Sequence, residues 1–92
     1  MLEIYSIRDA LIGFGPVLLE QNRACAVRNF TDLVNTNTQL PVRDYSLFYL
    51  GSYNFHTGII SPVDNPEFVC DACSVLDPVA KGGSSDETQQ SE

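Results

Sequence analysis

The 92 residues carry 12 acids and 5 bases, a formal charge of −7 at neutral pH. Setting aside Asp77, Asp86, Glu87, Glu92 and Lys81 still leaves eight acids against four arginines, Arg8, Arg23, Arg28 and Arg43. Non-specific affinity for nucleic acid comes largely from basic groups that neutralise phosphates, so this balance excludes a generic polyanion binder and leaves room only for a local patch.

Residues 2 to 8 are rich in β-formers and predict a first strand, ending at Asp9. Gly13, Gly15 and Pro16 then supply turn-compatible backbone and read as a loop, after which Val17, Leu18 and Leu19 make a short run able to pair back as a second strand. From Asn22, a good N-cap, the apolar residues Ala26, Val27, Phe30, Leu33 and Val34 recur at helical spacing and predict an amphipathic helix of about three and a half turns. Asn35, Asn37 and Pro41 provide its stop and loop signals.

The segment from Asp44 to Tyr53 is dense in aromatic and apolar residues and predicts a central strand. On an ideal strand Tyr45, Leu47, Tyr49 and Tyr53 share one face, with Phe48 and Leu50 on the other. Residues 54 to 58 form a hairpin loop with Gly58 available for positive φ, ahead of a strand at Ile59 and Ile60 that Pro62 stops. Pro62, Asp64 and Pro66 mark an extended connection, and Glu67, Phe68 and Val69 lay one more apolar stretch on the domain.

The expected fold is therefore α+β: a small antiparallel sheet of three to five strands packed by one amphipathic helix, in β-β-α-β-β order. Residues 1 to 76 form the one expected domain, and 77 to 92 an acidic disordered tail whose polar composition cannot offset the entropy of ordering it. A core of this size buries only about 60 to 65 per cent of its unfolded surface, which makes a homodimer a reasonable expectation. The start of the chain has no basic stretch running into an apolar one, and 18 consecutive apolar residues occur nowhere, so a soluble, unexported protein with no membrane contact is expected.

Cys70 and Cys73 have the C-x-x-C spacing that zinc sites and redox dithiols share. A structural zinc needs four ligands, which Cys25 and His56 would have to complete from a helix and a hairpin loop. The acidic neighbours Asp71 and Asp77 oppose the low thiol pKa that a redox motif requires. Two ordinary thiols are the expectation, with Cys70 and Cys73 only weak metal candidates and no cofactor. Three cysteines without a secretory context also fit thiols kept reduced in a cytoplasm. His56 is the sole histidine and no spacing pairs it with a nucleophile, so an enzyme is not expected.

Arg23 stands in the first turn of the predicted helix, where the dipole disfavours a cation; a phosphate bound there and a snorkelling side chain both account for it. A row of Tyr45, Tyr49 and Tyr53 would suit either base stacking or packing under the helix or across a dimer.

Four stretches, IYSIRD (4–9), NRACAVRNF with DLVN (22–35), DYSLFYLGSY (44–53) and TG (57–58), together resemble the small non-structural protein of gokushovirus-type phages over about residues 2 to 62. The resemblance implies a microvirus accessory protein absent from the finished capsid, working in the host bacterial cytoplasm around replication or packaging of a single-stranded DNA genome. Similar proteins usually have an acidic helix start where this chain has Arg23 and Cys25, and the C-x-x-C and the tail lie outside the shared pattern. Two roles follow as expectations. One is binding of single-stranded DNA, with Arg8, Arg23, Arg28, Arg43, Tyr45, Tyr49 and Tyr53 as contacts. The other is a protein-protein adaptor that meets the replication initiator, the procapsid or a host factor through a sheet face or edge.

Overall fold

A computed structural model describes residues 1–37 and 39–76; the tail expected over 77–92 lies outside the described residues. Four antiparallel strands, β1 (Leu2–Asp9), β2 (Gly13–Glu20), β3 (Tyr45–Asn54) and β4 (Ile59–Asp71), form one sheet in the order β2-β1-β3-β4. The helix α1 (Arg23–Thr36) crosses one face of it, and a single turn, α2 (Ala72–Val75), closes the lower edge of that face. This is the α+β fold expected, with β-β-α-β-β order.

The helix starts where the sequence says it should. The Asn22 side chain accepts a hydrogen bond from the Cys25 amide at 2.8 Å, satisfying one of the free donors of the first turn. Ala26, Phe30 and Val34, four residues apart, bury one stripe against Tyr5 of β1 and Leu47 of β3, with Ala72 beneath. A second tie holds the helix to β2, as the Asn29 amide donates to Glu20 Oε1 at 2.9 Å. At the far end Asn35 donates to the Val75 carbonyl at 3.1 Å, fastening α2 to α1.

Two expectations about the strands are corrected. Gly13, Gly15 and Pro16 lie inside β2, which is eight residues long rather than three. Pro16 is tolerated because β2 is an edge strand and the pairing with β1 slips between Ser6 and Arg8, so no ladder donor is missed there. Likewise Pro62 does not stop β4, the other edge, which runs on to Asp71 with its register broken opposite the Tyr49–Gly51 stretch of β3. The β3–β4 turn is as expected, with Gly58 at φ +78° and Asn54 accepting from its amide at 2.7 Å.

The irregularity around Leu50 decides which side chains share a face. Tyr5 pairs with Tyr49 and Ile4 with Gly51, so Leu50 is an extra residue in β3 relative to β1. One extra residue reverses the alternation: Tyr45, Leu47 and Tyr49 face the helix, whereas Tyr53, paired with Leu2 and Ile60, points to the opposite side.

Candidate functional site

The face of the sheet turned away from α1 is apolar and uncovered. Register places Leu2, Ile4, Ser6 and Arg8 of β1 on it, together with Phe14, Val17 and Leu19 of β2. From β3 come Ser46, Phe48 and Tyr53, and from β4 Ile60, Phe68 and Asp71. An antiparallel sheet with one solvated face normally shows polar residues there. Here Val17 is 64 % exposed, Ile60 59 % and Phe68 56 %, with Phe14 and Leu19 close behind.

This face has two halves. At one end Ile4, Val17, Leu19, Tyr53 and Ile60 line a shallow apolar depression of about 290 Å³. Towards the other end, the rings of Phe14 and Phe48 lie 5.3 Å apart at 79°, edge to face, and Phe68 continues the row 5.8 Å from Phe48. Phe14 and Phe48 belong to β2 and β3, which are separated by β1, so strands about 10 Å apart bring their rings together only by leaning over Ser6. Ser6 is accordingly fully buried, its hydroxyl donating to the Gly15 carbonyl at 3.0 Å.

Among the residues that register places here, Arg8 and Asp71 are the charged ones. They belong to one cross-strand row, Phe14, Arg8, Ser46, Asp71, at one end of the face. Ser46 donates to Asp71 Oδ1 at 3.1 Å.

The residues expected to contact nucleic acid do not gather. Tyr45 and Tyr49 pack against the core under the helix, Tyr53 stands on the open face, and the single tyrosine row is undone by Leu50. Arg8 is on the open face, Arg23 and Arg28 are on α1, and Arg43 is in the 3-10 turn Val42–Asp44 that leads into β3.

Arg23 is engaged inside the chain. Its guanidinium carbon lies 5.7 Å from the centroid of the Tyr49 ring, and its Nη2 is 3.8 Å from Glu67 Oε1. Beneath it the buried Tyr5 hydroxyl donates to Glu3 Oε1 at 2.6 Å. Burial first, and then this bond to a carboxylate, push the Tyr5 phenol up to about 12, although Arg23 pulls the other way. Glu3, Tyr5, Arg23, Tyr49 and Glu67 thus make a polar seam that locks the start of α1 to the sheet.

The C-x-x-C pair begins at the end of β4. Burial, and then the neighbouring Asp71 carboxylate, push the Cys70 thiol up, the direction opposite to an activated thiolate. Cys73 is exposed, with its Sγ 3.7 Å from the Val42 carbonyl. His56 sits in the β3–β4 turn, its ring 4.5 Å from that of Phe55, at the opposite end of the hairpin from both cysteines. Among the described residues no three of His, Cys, Asp and Glu are placed to hold a metal ion. No helix among them is long and apolar enough to cross a membrane.

Sequence reasoning missed the open face because its members come from four strands. A partial signal was present: Val17 and Leu19 alternate with Leu18 and Glu20, and Phe48 falls opposite the Tyr45–Leu47–Tyr49 face. Phe14 and Phe68 join that set only through register.

The model of a protein family described as Phage ORF5 protein matches residues 2–75 of the chain, a span that takes in β1 to β4, α1 and α2. No curated protein and no solved structure matches it.

Proposed function

Because the chain belongs to the Phage ORF5 protein family, we propose that it is a non-catalytic phage accessory protein whose working surface is the open face of the sheet, used to bind protein. The observation that carries this reading is that face itself: an apolar surface spanning four strands, with Arg8 and Asp71 as its charged members. Exposed apolar patches of this extent mark contact surfaces. Both edges of the sheet are blunted, β2 by Pro16 and a bulge and β4 by Pro62 and Pro66, so strand addition is disfavoured and contact falls to the face. The resemblance to the gokushovirus non-structural protein supplies the setting, replication or packaging of a single-stranded genome in the bacterial cytoplasm.

Tagged full-length chain recovered from infected cells after nuclease treatment tests this. The wild type is expected to retain phage proteins and Phe68→Asp to lose them. If both chains recover the same set, the face is not the surface in use.

The second reading, binding of single-stranded DNA, is favoured by the row of Phe14, Phe48 and Phe68 with Arg8 beside it, since exposed rings on a sheet are stacking platforms. Electrophoretic shift with labelled single strands separates the two. With one arginine near the rings, affinity should drop only about threefold from 50 to 200 mM salt. No shift at micromolar protein in low salt removes the reading.

A further inference from the structure

We propose that the occupant of the open face is a second copy of this chain, packed sheet against sheet about a twofold axis running along the strands between β1 and β3. The proposal rests on reading that face as the contact surface, and it names the partner.

The first argument is area. Taking the fractional exposures of its side chains, the face offers roughly 600 to 800 Å² per copy, within the lower half of the range for a stable interface, about 600 to 1,000 Å² per partner. The covered side of the sheet, by contrast, supplies a small core of Tyr5, Ala26, Phe30, Val34, Leu47 and Ala72. A chain with so little buried apolar mass gains most from closing its second face on itself.

The second argument is charge. Two chains of net charge −7 can meet only where acids are scarce, and Arg8 and Asp71 are the charged residues that register places on the face. They carry opposite signs and lie on either side of the line between β1 and β3. A twofold axis along that line lays β1 over the partner's β3 and β2 over its β4. Arg8 then stands over the Ser46 row position, one strand from the Asp71 position, and the pairing occurs twice by symmetry. An axis perpendicular to the strands would instead set the Arg8 end on the apolar end holding Tyr53 and Ile60, burying two unpaired arginines. The charges therefore select both the partner and the axis, and two twisted sheets stacked about 10 Å apart with strands near 30° provide the geometry.

Sedimentation of the full chain at micromolar concentration is the test. A mass twice the 10.1 kDa of one chain is expected, with Val17→Asp and Phe68→Asp each giving a monomer whose circular dichroism matches the wild type. Arg8→Asp and Asp71→Arg are each expected to weaken the dimer at least tenfold, and the double variant to recover it. Dimerisation should also strengthen as salt rises, because two acidic chains repel and salt screens them, the reverse of the trend for DNA binding. A monomeric wild type, a dimer indifferent to Val17→Asp and Phe68→Asp, or a charge swap that fails to restore association would each overturn the proposal. A monomer that still recovers phage proteins through this face would overturn the dimer alone and leave the functional reading in place.

Discussion

The guanidinium of Arg23 sits 5.7 Å above the ring of Tyr49 while reaching Glu67 at 3.8 Å, so a cation in the unfavourable first turn of a helix is held by the sheet below it. Its position follows from intramolecular packing, with no bound phosphate required. Arg23→Ala should lower stability by about 1 kcal/mol, the usual range for a part-exposed cation over an aromatic ring, and Arg23→Lys by less. Urea unfolding of the two variants measures it, and single-strand DNA affinity should not change with either.

The same seam sets the behaviour of the protein in alkali. The Tyr5 phenol is raised to about 12 in the folded chain against about 10 when unfolded. Between those pH values the unfolded chain has released its proton and the folded chain has kept it, so stability falls as pH rises through the interval. The loss should reach about 2 to 3 kcal/mol by pH 12. Tyr5→Phe, starting about 1 kcal/mol less stable for want of the bond to Glu3, should not show that part of the decline. Chemical unfolding repeated from pH 9 to 12 on both proteins gives the comparison.

Gly51 is the position where β3 can least accept a side chain. Its φ of +154° is rarely adopted by other residues, and a Cβ there would strike the Ser61 carbonyl oxygen and come within 2.7 Å of the Pro62 Cα. These are backbone atoms of β4 and cannot swing aside. Gly51→Ala should cost about 2 to 4 kcal/mol, whereas Gly58→Ala, with open space at the same point, should cost about 1 from its positive φ alone. Thermal melting of the two variants would separate them.

The helix was legible in the sequence because its evidence is local: Asn22 caps it, Ala26, Phe30 and Val34 repeat every turn, and each signal lies within a few residues of the next. The β3–β4 turn was legible for the same reason, through Gly58. What was not legible is register. Whether Tyr53 shares a face with Tyr49 depends on Leu50 being accommodated as an extra residue, and that is decided by β1, more than 40 positions away. The prolines misled in a similar way, since Pro16 and Pro62 stop a central strand but not an edge strand with a slipped register, and edge position is a property of the whole sheet. The candidate site inherited this limit: Phe14, Phe48 and Phe68 become neighbours only when three strands are set side by side.

Phe68 and Phe55 offer a built-in comparison for the central claim, that the open face is covered when the protein works. In the isolated chain they are almost equally accessible, 56 % and 51 %, but Phe68 stands on the face and Phe55 in the β3–β4 turn beyond it. Hydroxyl-radical labelling of the full chain in an extract of infected cells, read residue by residue by mass spectrometry, reports both at once. Covering the face should cut the labelling of Phe68 severalfold and leave Phe55 near its isolated-chain value; equal labelling of the two would mean that the face stays bare and that the protein acts through some other surface.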